Sequence, residues 1–190
     1  TCALPICSGD MPFYFVQLAP RYAPQDGTTE SSLAEMREAQ AISLSLPHTG
    51  MVVTTDCGEE KDVHPRDKQT VGARLAALAL AKTYQKSSLA HGPVFQKQEI
   101  RQSEIVLHFD SVGGGLKSRA GDLAHFAIAG ADRKFVVAQA RVDGSTVVVS
   151  SPTIPQPQYV RYAWSENPSA ANLINAEGFP AAPFRTDAKK

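Results

Sequence analysis

Phe13-Tyr14-Phe15-Val16-Gln17-Leu18 is a short aromatic and β-branched run halted by Pro20, and its reading decides the fold of the first half of the chain. A continuous apolar run of this length reads as a strand buried on both faces, the habit of parallel sheets. Working outward, residues 20–29 form a Pro/Gly/Asp loop. Ser32-Leu33-Ala34-Glu35 then has capping-box spacing, the hydroxyl serving an orphan amide while the carboxylate reaches back. A helix is predicted from there to about residue 46, stopped by Pro47. Met51-Val52-Val53-Thr54 is a second strand, and 68–84 a second helix with Val71, Leu75, Leu78 and Lys82 along one stripe. Strand, helix, strand, helix is the rhythm of a parallel α/β sheet. A doubly wound domain normally needs about five strands. Two are visible, so 12–86 reads as the C-terminal part of a larger α/β domain.

Beyond residue 86 the rhythm changes. Residues 86–102 are polar around Gly92-Pro93 and read as a crossing into a second unit. Short alternating runs follow at 105–109, 126–129, 135–142, 146–150 and 159–164. Val142-Asp143-Gly144-Ser145 is a two-residue hairpin signal of type I′, since Asp-Gly accepts positive φ. Gly113-Gly114-Gly115 opens no helix and reads as a plain loop rather than a phosphate cradle. The expectation for 87–190 is a β-sandwich-like domain ending in an irregular tail after Asn167. The fold class expected for the whole chain is therefore α/β followed by all-β.

Composition narrows the function classes. The 190 residues carry 19 Lys+Arg against 19 Asp+Glu, and 43% are hydrophobic. A neutral chain offers no general electrostatic footprint for nucleic acid. The longest strictly apolar run, 75–81, is too short for a membrane span. Cys2, Cys7 and Cys57 form neither a disulfide framework nor a metal-type spacing. The opening Thr1-Cys2-Ala3-Leu4-Pro5-Ile6 resembles a reading-frame translation of a common sequencing adapter. Residues 1–11 are accordingly expected to be an artefactual or irregular start, with the gene continuing upstream.

The stretch with most chemical content is Thr54-Thr55-Asp56-Cys57-Gly58-Glu59-Glu60-Lys61-Asp62-Val63-His64-Pro65. It joins the carboxyl end of a strand to a helix, where open α/β sheets place their sites. Pro65 biases His64 towards an extended backbone and suits the first turn of the coming helix. Asp62 could accept the Nδ1 proton of His64 and leave Nε2 as a base. The plainer reading makes His64 a surface residue or helix cap and Asp62 one of several solvated charges. A metal site from Asp56, Asp62 and His64 lacks a further ligand at sensible spacing. His48 and His91 read as surface residues, and His108 and His125 have no carboxylate partner at a telling spacing. Ser8 precedes a strand instead of following one, so the elbow that exposes a nucleophile is missing.

Several of these segments, in order, resemble one family. They are 12–18, the 33–46 helix with Arg37-Glu38-Ala39-Gln40, Thr49-Gly50-Met51-Val52-Val53-Thr54-Thr55-Asp56, and Val63-His64-Pro65-Arg66-Asp67-Lys68-Gln69-Thr70-Val71-Gly72 with Arg74-Leu75-Ala76. Val160-Arg161-Tyr162-Ala163-Trp164 and Pro183-Phe184-Arg185-Thr186-Asp187 complete the set. Together they are similar to the sialate O-acetylesterases, which are SGNH-type carbohydrate esterases. The resemblance implies a flavodoxin-like parallel sheet for 12–86 and hydrolysis of acetyl esters on an O-acetylated sugar or glycan. It also implies a serine nucleophile with His64 as base, no cofactor and no metal, and an extracellular or periplasmic location. The aspartate usual three residues before the histidine is Lys61 here, so Asp62 is the orienting candidate from a shifted position, with Asp56 or another group as alternatives. The family's Gly-Gln-Ser-Asn-like nucleophile block is absent. The missing N-terminal part of the same protein is thus the expected partner, and the 190-residue chain alone is expected to be inactive. Two readings compete. One is a non-catalytic carbohydrate-binding module with Tyr159, Tyr162 or Trp164 stacking on sugar, although core packing is the plainer role for Tyr162 and Trp164. The other is a metal-dependent hydrolase.

Overall fold

The computed structural model of the protein describes residues 11–62, 64–86 and 89–188. The expectations placed on Thr1–Ile6, Cys2, Cys7, Ser8 and Val63 lie outside the described residues.

The chain begins with β1 (Phe13–Val16), α1 (Ser32–Ile42) and β2 (Thr49–Val52), followed by α2 (Lys68–Lys82). β1 and β2 pair in parallel, Phe13 opposite Thr49 and Val16 opposite Val52. α1 is capped by Ser31, whose side chain accepts from the Ala34 amide. The cap is thus one residue earlier than the 32–35 spacing predicts, and Ser32 instead donates its backbone N–H to Glu166 at 3.0 Å. A 3₁₀ turn over Ser43–Ser45 ends this helix before Pro47. α2 is capped by Asp67 on the Thr70 amide. Between α2 and the β1–β2 pair lies a small apolar cluster of Val52, Leu78 and Ala90, with Tyr14 and Leu75 packed on it.

The rest of the chain is antiparallel. One four-stranded sheet has the order β3-β4-β9-β8, from Val94–Arg101, Glu104–Asp110, Thr146–Ser150 and Gln139–Asp143. A second has the order β12-β10-β6-β7, from Phe184–Arg185, Tyr159–Tyr162, Phe126–Ala129 and Val136–Val137. β5 (Leu116–Ser118) pairs with β11 (Leu173–Asn175). Alternation along β4 and β9 sends Ile105, Leu107, Phe109, Val147 and Val149 inward to meet Phe126, Ile128, Val160 and Tyr162. Phe184 closes this core, stacked on Phe95 at 4.4 Å.

The flavodoxin-like, SGNH-type α/β expectation is overturned. Among the described residues there is one parallel pair, two helices of 11 and 15 residues, and otherwise only antiparallel pairing. The strand–helix rhythm produces a single parallel pair and then stops. A fold needs its full set of strands to be doubly wound, and a local rhythm cannot supply them. The tail after Asn167 is not wholly irregular either, since it contributes β11 and β12. The 86–102 crossing contains β3.

Arg37, Arg161 and Arg185 are among the arginines that join the helical layer to the antiparallel sheets. Arg37 of α1 is fully buried and donates to four carbonyls, those of Leu18, Ala19, Ser165 and Glu166, at 2.7–3.1 Å. Burial pushes its pKa down to about 10, opposed by the charge of Glu166. Arg161 forms a two-point pair with Asp187 and reaches Glu30 at 2.7 Å. Arg185 pairs with Glu38 and lies over the Trp164 ring.

Candidate functional site

The site is assembled on the connection between β2 and α2. At its base, Thr54 Oγ1 donates to the Gln17 carbonyl at 2.8 Å, and the Cys57 amide closes a turn onto Thr54. Asp56, its side chain 7% exposed, is held by both terminal nitrogens of Arg74 at 2.7 Å. Arg119 reaches the same carboxylate at 2.5 Å. Burial acts to raise the Asp56 pKa, but the hydrogen bonds and charges of the two guanidinium groups outweigh it and hold the carboxyl at about 2. The adjacent Cys57 thiol is pushed up to about 11 by burial, an unreactive setting for a cysteine. Gly58 packs so tightly on Pro20 that a Cβ there would lie 2.6 Å from the Pro20 carbonyl oxygen.

The outer part of the connection carries the two residues singled out in the sequence. Tyr22 donates its amide to the Glu60 carbonyl at 2.8 Å, and Glu59 pairs with the exposed Arg66. Asp62 Oδ1 accepts from the His64 backbone N–H at 2.8 Å and lies 3.1 Å from His64 Nδ1. Hydrogen bonding from the His64 amide lowers the Asp62 pKa, with the imidazole contributing in the same sense. The His64 side chain is 81% exposed. Its Nε2 has no hydrogen-bond partner among the described residues, and no serine hydroxyl is bonded to the ring there. The arrangement fixes one ring nitrogen on a carboxylate and presents the other to an incoming group, as proton transfer requires.

Asp56 is not beside this pair as an orienter. It is neutralised in the base of the connection, and that role was invisible in the sequence because Arg74 and Arg119 lie 18 and 63 residues away. Among the described residues, no group of three His, Cys, Asp or Glu side chains is placed to hold a metal ion. Tyr162 and Trp164 are fully buried, so neither forms a sugar-stacking face. The Tyr162 hydroxyl accepts from the Leu173 amide, and burial raises its pKa. A groove of about 700 Å³ lies elsewhere, between the 24–29 loop and His125. No described helix is long and apolar enough to cross a membrane.

Comparison with known proteins adds a relationship. No family model matches the chain, and no curated protein matches it. Among solved structures, the chain is similar to a crystal structure described as a novel carbohydrate acetylesterase from Xanthomonas citri. The two share 43% sequence identity with a TM-score of 0.87 over 94% of this chain. The fold is shared. The chain spans 41% of the length of that structure. The similarity supports a relationship to carbohydrate esterases.

Proposed function

We propose that this chain is part of a carbohydrate O-acetylesterase in which His64 is the general base and Asp62 orients it. The observation that carries the reading is the contact of 3.1 Å between Asp62 Oδ1 and His64 Nδ1, with no partner on Nε2 among the described residues. It stands in a chain 43% identical to a carbohydrate acetylesterase. In the reaction, a serine hydroxyl attacks the acetyl carbonyl and gives its proton to His64 Nε2. Asp62 stabilises the imidazolium that forms. Collapse of the tetrahedral intermediate expels the sugar oxygen, which takes the proton back from His64. Water, deprotonated by the same nitrogen, then releases acetate and restores the hydroxyl.

The attacking serine and the oxyanion donors belong, in this reading, to polypeptide outside the 190 residues, because the chain spans 41% of its neighbour and no serine hydroxyl bonds to His64 among the described residues. The substrate proposed from the sequence resemblance is an O-acetylated sialic acid, and the location extracellular or periplasmic. An acetylated plant polysaccharide is the competing substrate.

The test is acetate release by the protein made from the complete coding sequence, offered O-acetylated sialic acid and acetylated xylan side by side. The 190-residue chain by itself is expected to release none. His64→Ala is expected to lower kcat by about 10³-fold, and Asp62→Asn by about ten- to a hundredfold. Melting temperatures should stay close to wild type, since the side chains are exposed. Full activity in His64→Ala overturns the assignment, and preference for xylan overturns the sialate substrate.

A further inference from the structure

We infer that Arg119, which comes from the antiparallel sheets, is a positioning residue for His64. The inference rests on the esterase reading for its catalytic consequence but not for its mechanical one. Arg119 directly follows β5, and its guanidinium makes an ion pair with the buried Asp56 carboxylate. Asp56 is also the carboxylate through which Arg74 of α2 grips the turn at 54–57. Arg74 Nη1 adds a bond of 2.9 Å to the Val53 carbonyl. The Asp62–His64 pair is therefore carried between the 53–57 turn and α2, which one ion cluster ties together through Arg74. Arg119 is the member of that cluster contributed from outside the β2–α2 connection.

The position of Arg119 is itself fixed. Its amide donates to the Asn172 carbonyl at 2.9 Å. The Asn172 side chain then organises the whole 118–124 turn. Its Nδ2 donates to Ser118 Oγ, Ala120 O and Asp122 O at 2.7–2.9 Å, and its Oδ1 accepts from the Ala124 amide. A side chain with this many turn contacts makes the turn a rigid mount, and the Arg119 side chain, 40% exposed, reaches from it to the Asp56 side chain, only 7% exposed. A charge-assisted pair to a desolvated carboxylate is strong and directional. Its loss leaves Arg74 alone on the Asp56 carboxylate, so the loop gains freedom and the imidazole spends less time in its productive position.

The test uses two readouts on Arg119→Met, Arg119→Lys and Asn172→Ala. The first is amide hydrogen exchange of the 190-residue chain. Exchange across 54–62 and 64–66 is expected to rise about tenfold in Arg119→Met and Asn172→Ala, less in Arg119→Lys, with β4 and β9 unchanged. The second is steady-state kinetics of the complete protein, where kcat is expected to fall about tenfold with KM within twofold. Arg141→Met, which removes an exposed pair with Glu104 on the outer sheet face, is the matched control and should move neither readout. Unchanged exchange at 54–66 in Arg119→Met overturns the inference whatever the kinetics show. Loosened exchange with unchanged kcat overturns the catalytic consequence alone. Absence of acetate release by the complete wild-type protein overturns the esterase reading and leaves the exchange result to decide the positioning role. A variant that unfolds globally is recognised by faster exchange in β4 and β9, and Arg119→Lys then carries the decision.

Discussion

Asp56 contributes stability within a defined pH window. Its folded carboxyl titrates near 2 against an ordinary value of 3.8. The folded state therefore holds the proton less tightly than the unfolded chain. The contribution, about 2 kcal/mol, is complete above roughly pH 5 and drains away as the pH falls through 2. Asp56→Asn leaves Arg74 and Arg119 facing a neutral amide and is expected to cost about 3 kcal/mol at pH 7. The gap between variant and wild type should close as the pH falls from 5 towards 2. Urea unfolding across that range checks it, and a gap that stays constant contradicts the assignment. The same residue marks what sequence reading can reach at this scale. Asp62 and His64 are two apart, and their contact follows from local geometry, so their pairing was legible. Asp56 was weighed as an orienter or metal ligand because nothing in a local window reveals two arginines brought to it by the fold.

Secondary structure shows the same division between local and long-range causes. The runs 126–129 and 146–150 coincide with β6 and β9 because a short continuous apolar run is a local property of the chain. The hairpin between β8 and β9 was legible too, but its loop is Gly144-Ser145, with Asp143 paired to Thr146. Positive φ occurs at Gly144 and not at Ser145, the pattern of a II′ turn rather than the I′ turn expected from Asp-Gly. β3 and β12 were missed because Val94–Arg101 is mostly exposed and Phe184–Arg185 is only two residues long. Neither carries a periodic signal. At this scale Gly58 is the sharpest test of the β2–α2 connection. Any Cβ there overlaps Pro20, which is ring and backbone rather than a side chain able to swing aside. Gly58→Ala is expected to destabilise the protein by about 1–3 kcal/mol through overpacking. In thermal melts, a Tm equal to wild type would show that the 20–22 segment yields instead.

The segments that carried the family resemblance meet one another at a seam. Arg37, Glu38 and Gln40 of the α1 block all make tertiary bonds, to carbonyls at 18, 19, 165 and 166, to Arg185, and to the Leu18 amide. Arg161 and Asp187, from two further blocks, pair with each other beside Trp164. Those blocks are therefore mainly joinery, with His64 the residue among them suited to chemistry and Asp62 lying just outside them. The joinery matters because the two apolar cores differ in size. The antiparallel sheets bury a long list of aliphatic and aromatic side chains, whereas the helical layer has Val52, Leu78 and Ala90 with a few half-buried neighbours. A cluster that small does not offset the entropy of ordering its own helices, so the helical layer depends on its attachment. Arg37→Met would strip four carbonyls, two buried and two half-buried, of their shared donor at an expected cost of about 3 kcal/mol or more. The loss should be uneven. Amide exchange in α1 and α2 is expected to approach that of an unfolded segment, while β4 and β9, whose strands rest on the larger core, keep their protection. Trp164, the single tryptophan in the chain, sits at the seam and should shift its emission to longer wavelength in the same variant. If both cores lose protection together, the two layers form one cooperative unit and the larger core does not stand apart from the smaller.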